Sequence, residues 1–114
     1  MSPLREPTFL LLTALAGGPL HGYAAIKEVA ALSDDRVRLR AGTLYAALDR
    51  LTAEGLVALD REEVVEGRLR RYYRLTDKGA AVLEVEAELL RRNASAAAER
   101  LRRRTAARPA TGAL

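Results

Sequence analysis

Four helical segments, three short runs that alternate as strands do, and glycine- or proline-bearing breaks between them predict a mainly α fold with a small β-hairpin. The first helix follows Pro7, with Thr8 as its cap. Its residues Phe9 to Leu15 are apolar around nearly the whole circumference until Gly17-Gly18-Pro19 ends it. A short helix apolar on every side has to be buried on every side, which asks for a partner subunit as well as the chain's own core. His21 to Leu32 reads as a second helix, with Tyr23, Ile26, Val29 and Ala30 at helical spacing. Ser33-Asp34-Asp35 closes it, and Val37 and Leu39 alternate with Arg36, Arg38 and Arg40 as a brief strand would.

Ala41 to Glu54 is the third helix, with Leu44, Ala47, Leu48 and Leu51 as its buried stripe and Gly55 as a left-handed stop. At roughly 100° per residue its opposite face carries Gly42, Ala46, Asp49, Arg50 and Ala53, with Thr43 and Tyr45 at the flanks. Residues 56–63 and 70–75 read as the strands of a hairpin, joined by a connection over 64–69 that is longer than a tight turn and bends at Gly67. Tyr72 and Tyr73 project to opposite faces of the second strand, one into the core and one outward, and the pattern does not say which. Thr76 opens the last helix, Asp77 favours its dipole, and the helix runs to about Arg104. This order is that of a winged helix-turn-helix domain over residues 1–75 with a long C-terminal helix over 76–104. The Ala, Pro and Gly of 105–114 are expected to be disordered.

The 19 basic residues against 15 acidic ones give a formal charge of +4, and 17 of the 19 are arginines. Arginine presents a planar fork of donors that fits phosphate oxygens and guanine edges, so an anionic partner is expected. Genomic composition can raise the arginine content, but it does not explain nine arginines against six acids between Arg36 and Arg74. With no cysteine and one histidine, His21, thiolate metal sites, cysteine nucleophiles and histidine-dependent triads lack their members. No cofactor, no metal and no enzymatic activity are expected. The run from Phe9 to Leu15 is far shorter than the roughly 20 residues that span a bilayer, so a soluble, cytoplasmic chain without membrane contact is expected.

The third helix and the hairpin are the candidate interface with double-stranded DNA. A helix fits the major groove and its N-terminal residues reach base edges while neighbouring elements hold phosphates. Gly42, Thr43 and Ala46 are small enough for close approach, Arg40 and Arg50 frame them, Thr43 and Arg50 are the candidates for base contact, Tyr45 offers a hydroxyl to phosphate, and Arg68, Arg70 and Arg71 lie where a wing would meet the backbone.

Several segments resemble the PadR-like family of transcriptional regulators: Pro19-Leu20-His21-Gly22-Tyr23, Gly42-Thr43-Leu44-Tyr45 with Leu48 and Arg50-Leu51, Glu54-Gly55-Leu56-Val57, and Arg71-Tyr72-Tyr73-Arg74-Leu75-Thr76 with Gly79. Ala46 stands where that family usually has proline, and Thr52 where it usually has an acid. The resemblance, over about Leu4 to Leu90, implies the short branch whose C-terminal region is one dimerisation helix. It further implies repression by operator occupancy and release by a small apolar or aromatic effector at the dimer interface. No tryptophan is available for such a pocket, which leaves Phe9, tyrosines and aliphatic walls.

The last helix supports a homodimer independently. Leu83, Ala87, Leu90, Ala94, Ala97 and Leu101 recur at alternating steps of four and three, as in a helix-helix seam, and Val82, Val85 and Leu89 widen it near its start. Phe9 and Leu12 of the first helix are the expected contacts of that seam. A winged-helix module that only pairs with other proteins would show the same elements, and a steep salt dependence of duplex binding separates the two readings.

Overall fold

The computed structural model describes residues 4–108. Its elements are α1 (Glu6–Ala16), β1 (Leu20–His21), α2 (Gly22–Leu32), α3 (Ala41–Ala53), β2 (Val57–Val65), β3 (Arg68–Leu75) and α4 (Asp77–Ala107). The chain is thus mainly helical, with one small antiparallel sheet in the order β1-β3-β2. Two compact units divide it, one ending at Glu84 and the other beginning at Val85.

The core of the first unit is built by α1, α2, α3 and the bases of β2 and β3. Leu11, Leu12, Val29, Leu44, Leu48, Leu51 and Val57 are enclosed, and Tyr73 joins them. Burying each such aliphatic side chain contributes about 1.5–3 kcal/mol, so the faces that do not meet this core are free for other work. Tyr73 is therefore the core tyrosine. Tyr72 faces outward, edge-on to His21 at 5.3 Å between ring centres and beneath the Arg61 guanidinium at 3.9 Å.

The ends of the elements follow from short-range chemistry. Gly55 stands at φ 79° and Leu56 N–H closes back on the Leu51 carbonyl at 2.9 Å, which ends α3. The Thr76 hydroxyl accepts the Gly79 N–H at 3.0 Å and donates to the Gly55 carbonyl at 2.6 Å, capping α4 and tying it to the end of α3. A side chain at 79 would collide with the Leu56 carbonyl, so the glycine is what lets α4 leave the sheet here. Through this contact and through Val82 and Leu83 the first turns of α4 belong to the first unit.

Four expectations need correction. Thr8 does not cap α1: the helix starts at Glu6 from Arg5, with Pro7 in its first turn, and Arg5 makes no side-chain cap. The short strand is Leu20–His21, not the Val37–Leu39 segment, because Leu20 and His21 pair with Tyr73 and Tyr72 and fill that edge of β3. Val37 and Leu39 alternate only because they face the core from an extended connection. It leaves two left-handed residues, Asp34 and Asp35, and is pinned by Val37 N–H donating to the Ser33 hydroxyl at 2.9 Å. The hairpin turn is tight: Val65 pairs with Arg68, leaving Glu66 and Gly67, both at positive φ as a two-residue primed turn demands. Finally, residues 105–107 continue α4, while 109–114 lie outside the described residues.

From Val85 the helix forms the second unit, with exposed pairs such as Glu88–Arg91 at 2.6 Å and Glu99–Arg102 at 2.6 Å one turn apart. Exposed i,i+3 pairs of this kind contribute only a few tenths of a kcal/mol each.

Candidate nucleic-acid interface

Helix α3 is fixed by one face and open on the other. Leu44, Leu48 and Leu51 are fully enclosed, so Gly42, Thr43, Ala46, Asp49 and Arg50 are exposed together. No described residue lies within 4 Å of the place a side chain at Gly42 would occupy. The first turn therefore offers a flat, small-residue surface with the backbone close to it. Tyr45 sits on the flank, 44% exposed, with its ring against Gly22 at the start of α2.

Charge is distributed unevenly around this face. Arg36 is held by Glu6 at 2.9 Å, Arg38 by Asp35 at 3.5 Å, Arg61 by Asp60 at 3.0 Å, Arg71 by Glu62 at 3.0 Å and Arg74 by Asp60 at 3.9 Å. Arg5, Arg40, Arg50, Arg68 and Arg70 form no ion pair with a described residue. These five lie at the start of α1, at the two ends of α3 and on the wing strand β3. Of the three wing arginines expected at the interface, Arg68 and Arg70 share one face of β3. Arg71 lies on the other, where its Nε donates to the Glu62 carboxylate and that bond raises its pKa further above the usual arginine value.

Two grooves flank α3. One, of about 410 Å³, runs between Tyr45, the start of α2 at Gly22 and Tyr23, and the wing residues Arg68, Leu69, Arg70 and Arg71. His21 borders it, its pKa lowered first by burial and then by the Arg70 charge, with Glu63 opposing. The other, of about 600 Å³, lies between Thr43, Ala46 and Arg50 of α3 and Arg5, Pro7 and Thr8 of α1. Across it Arg50 donates to the Thr8 hydroxyl at 3.2 Å. Arg5 and Thr8 are the residues that sequence reasoning missed, since a first helix read as wholly buried gave no signal that its start borders α3.

The residues expected at a dimer seam divide into two groups. Leu12 is fully enclosed and Leu83 packs on the core, so both are consumed inside the first unit by the same apolar contact that was expected from a partner. Phe9 is half-buried, and Ala87, Leu90, Ala94, Ala97 and Leu101 are exposed in the single chain, Leu90 at 48% and Leu101 at 60%. Val85 is also exposed but, at roughly 100° per residue, stands on nearly the opposite side of α4 from Ala87 and does not widen the same stripe.

Among the described residues no helix is long and apolar enough to cross a membrane, and no cluster of three or more His, Asp or Glu could hold a metal ion. Residues 11–85 match the transcriptional regulator PadR-like family over the segment that holds α2, α3 and the hairpin. The chain belongs to the PadR-like family. The family model describes transcriptional regulators, and a solved Clostridium difficile neighbour is a member of the same family. A transcriptional regulator of Mycobacterium tuberculosis is 41% identical over 73 residues, covering 64% of each chain. The curated relatives it matches are covered over only 24% to 64% of their length. The crystal structure of a PadR family transcription regulator from Clostridium difficile superposes with TM-score 0.66 at 26% identity, over 85% of this chain and 99% of that one. Bacillus subtilis PadR, solved in complex with operator DNA, superposes with TM-score 0.62 at 25% identity, over 70% of this PadR-like chain and 45% of that one.

Proposed function

We propose that this PadR-like chain binds double-stranded DNA as a homodimer and represses transcription by occupying an inverted-repeat operator. The observation that carries the reading is the exposed small-residue face of α3, bordered on its flanks by arginines without acid partners among the described residues. A helix whose exposed face begins with Gly42, Thr43 and Ala46 can approach a groove floor closely, and guanidiniums without a carboxylate partner are available to replace counterions on phosphates. Thr43 then has the position to contact a base edge, Arg40 and Tyr45 to hold phosphate, and Arg68 and Arg70 to lay the wing on the backbone, with Arg71 adding to the field. The Bacillus subtilis complex supports duplex DNA as the partner.

The homodimer is supported by the stripe Ala87, Leu90, Ala94, Ala97 and Leu101, since an apolar row on an exposed helix is covered most economically by a second copy. Release by a small apolar or aromatic effector at the interface of the two copies would use Phe9 as its aromatic wall. Recovering bound duplexes from a random pool tests the reading in one step. It predicts an enriched inverted repeat and a steep fall of affinity with salt; a shallow salt dependence with no enriched sequence favours a protein-pairing module instead.

A further inference from the structure

We infer that the start of α1 completes the reading surface: Arg5 and Arg50 grip the sugar–phosphate backbone of duplex DNA in the cleft between α1 and α3, and Thr8 is the positioning residue that holds Arg50 there. The inference rests on the DNA-binding reading and changes what Arg50 does within it. Spacing on α3 alone makes Arg50 a candidate for reading a base, whereas its surroundings assign it to the backbone.

Three observations carry this. First, Arg50 stands seven residues beyond Thr43 on α3, so about 10 Å further along the axis at 1.5 Å per residue, away from the end that meets base edges. Secondly, Thr8 accepts from the Arg50 Nη2 at 3.2 Å, which turns the guanidinium sideways towards α1 instead of outward along the groove. Thirdly, Arg5 and Arg50 flank one cleft of about 600 Å³ and neither has an acid partner among the described residues, although Arg36 takes Glu6 from the same turn as Arg5. Two like charges left facing one cleft repel each other until an anion lies between them. A phosphodiester presents two non-bridging oxygens that share its negative charge, the arrangement a guanidinium fork bonds best. The walls at Pro7, Leu39 and Ala47 are apolar, as suits the deoxyribose beside that phosphate. Gly42, Thr43 and Ala46 line the same cleft, so a strand lying beside α3 passes through it without a detour.

The test compares the full chain with Arg5→Ala, Arg50→Ala, Thr8→Val and Thr8→Ser on two duplexes of equal length, one recovered by selection and one unrelated. Affinity is followed by fluorescence anisotropy across a salt series, with circular dichroism to show that each variant is folded. Arg5→Ala and Arg50→Ala should each weaken both duplexes by the same factor and make the log–log salt slope shallower by about 0.9. Thr8→Val should produce a smaller loss of the same kind, Thr8→Ser should restore it, and Thr8→Val should add nothing once Arg50 is alanine. An unchanged slope in Arg5→Ala overturns the inference, as does an Arg50→Ala variant that keeps its slope but loses preference at one base pair. Either result leaves the DNA-binding reading standing; failure of the unsubstituted chain to bind any duplex overturns both.

Discussion

The phenol of Tyr45 lies over Gly22, its hydroxyl filling the space that a side chain at position 22 would need. This contact links the first turns of α2 and α3 and gives a physical reason for glycine in the His-Gly-Tyr segment when Gly-Thr-Leu-Tyr begins 21 residues after it does. Gly22→Ala should cost about 1–3 kcal/mol in chemical denaturation, the range for overpacking a formed contact. In a Tyr45→Ala background the same change should stabilise by up to about 1 kcal/mol, because alanine is the better helix former. The same sign in both backgrounds would mean that Tyr45 is not what excludes a side chain there.

Gly42 is the opposite case. It is exposed and helical, with open space among the described residues where a side chain would go, so Gly42→Ala should raise stability by about 0.5–1 kcal/mol. If the first turn of α3 meets a groove floor, the added methyl group should cost about tenfold in duplex affinity, or 1.4 kcal/mol. Thermal melting and anisotropy on one preparation separate the effects. Higher stability with unchanged affinity would remove Gly42 from the interface.

His21 gives the fold an acid-side pH dependence. Its folded pKa lies below the ordinary 6.5 because burial and Arg70 disfavour the imidazolium, so the unfolded chain binds more protons between the folded value and 6.5. Stability should therefore fall as pH drops below about 6.5 and stop falling once the folded state protonates too. Glu6 and Glu88, held below the usual carboxylate value by Arg36 and Arg91, lose their contributions only at more acid pH, from about 4.5 downward. The His21→Gln variant should show a flatter melting profile between pH 7 and 5; a profile identical to that of the parent chain contradicts this assignment.

The stripe on α4 is tested by Leu90→Asp. Nothing in the core depends on Leu90, so circular dichroism should remain that of the folded chain, while an unpaired carboxylate buried in a dimer seam costs enough to dissociate it. Sedimentation should show a monomer at micromolar concentration. A dimer that survives the substitution uses another face.

The helices, the end of α3 and the head of α4 were legible because each rests on local chemistry: the Leu44, Leu48 and Leu51 spacing, the left-handed Gly55, and the Thr76 hydroxyl; the start of α1, expected at Thr8, was not. What was not legible depends on partners distant in the chain. A two-residue strand such as Leu20–His21 has no internal pattern, and half-buried Val37 and Leu39 mimic one without a ladder to join. The Glu66-Gly67 turn was obscured because glutamate is an uncommon choice for positive φ. Arg5 and Thr8 stay hidden for the same reason: the hydrogen bond that brings Thr8 to Arg50 spans 42 residues.

The most direct test of the central claim, that two copies of this chain read two half-sites across a shared two-fold axis, is the effect of half-site spacing. Two recognition helices on one axis can enter successive major grooves only if the half-site centres are about one or two helical turns apart, roughly 10 or 20 base pairs. Affinity should be measured on a selected inverted repeat and on the same site with five base pairs inserted at its centre, which moves one half-site to the far side of the duplex. The account predicts that binding falls to the level of an unrelated duplex. Undiminished binding to the five-base-pair insertion would contradict it.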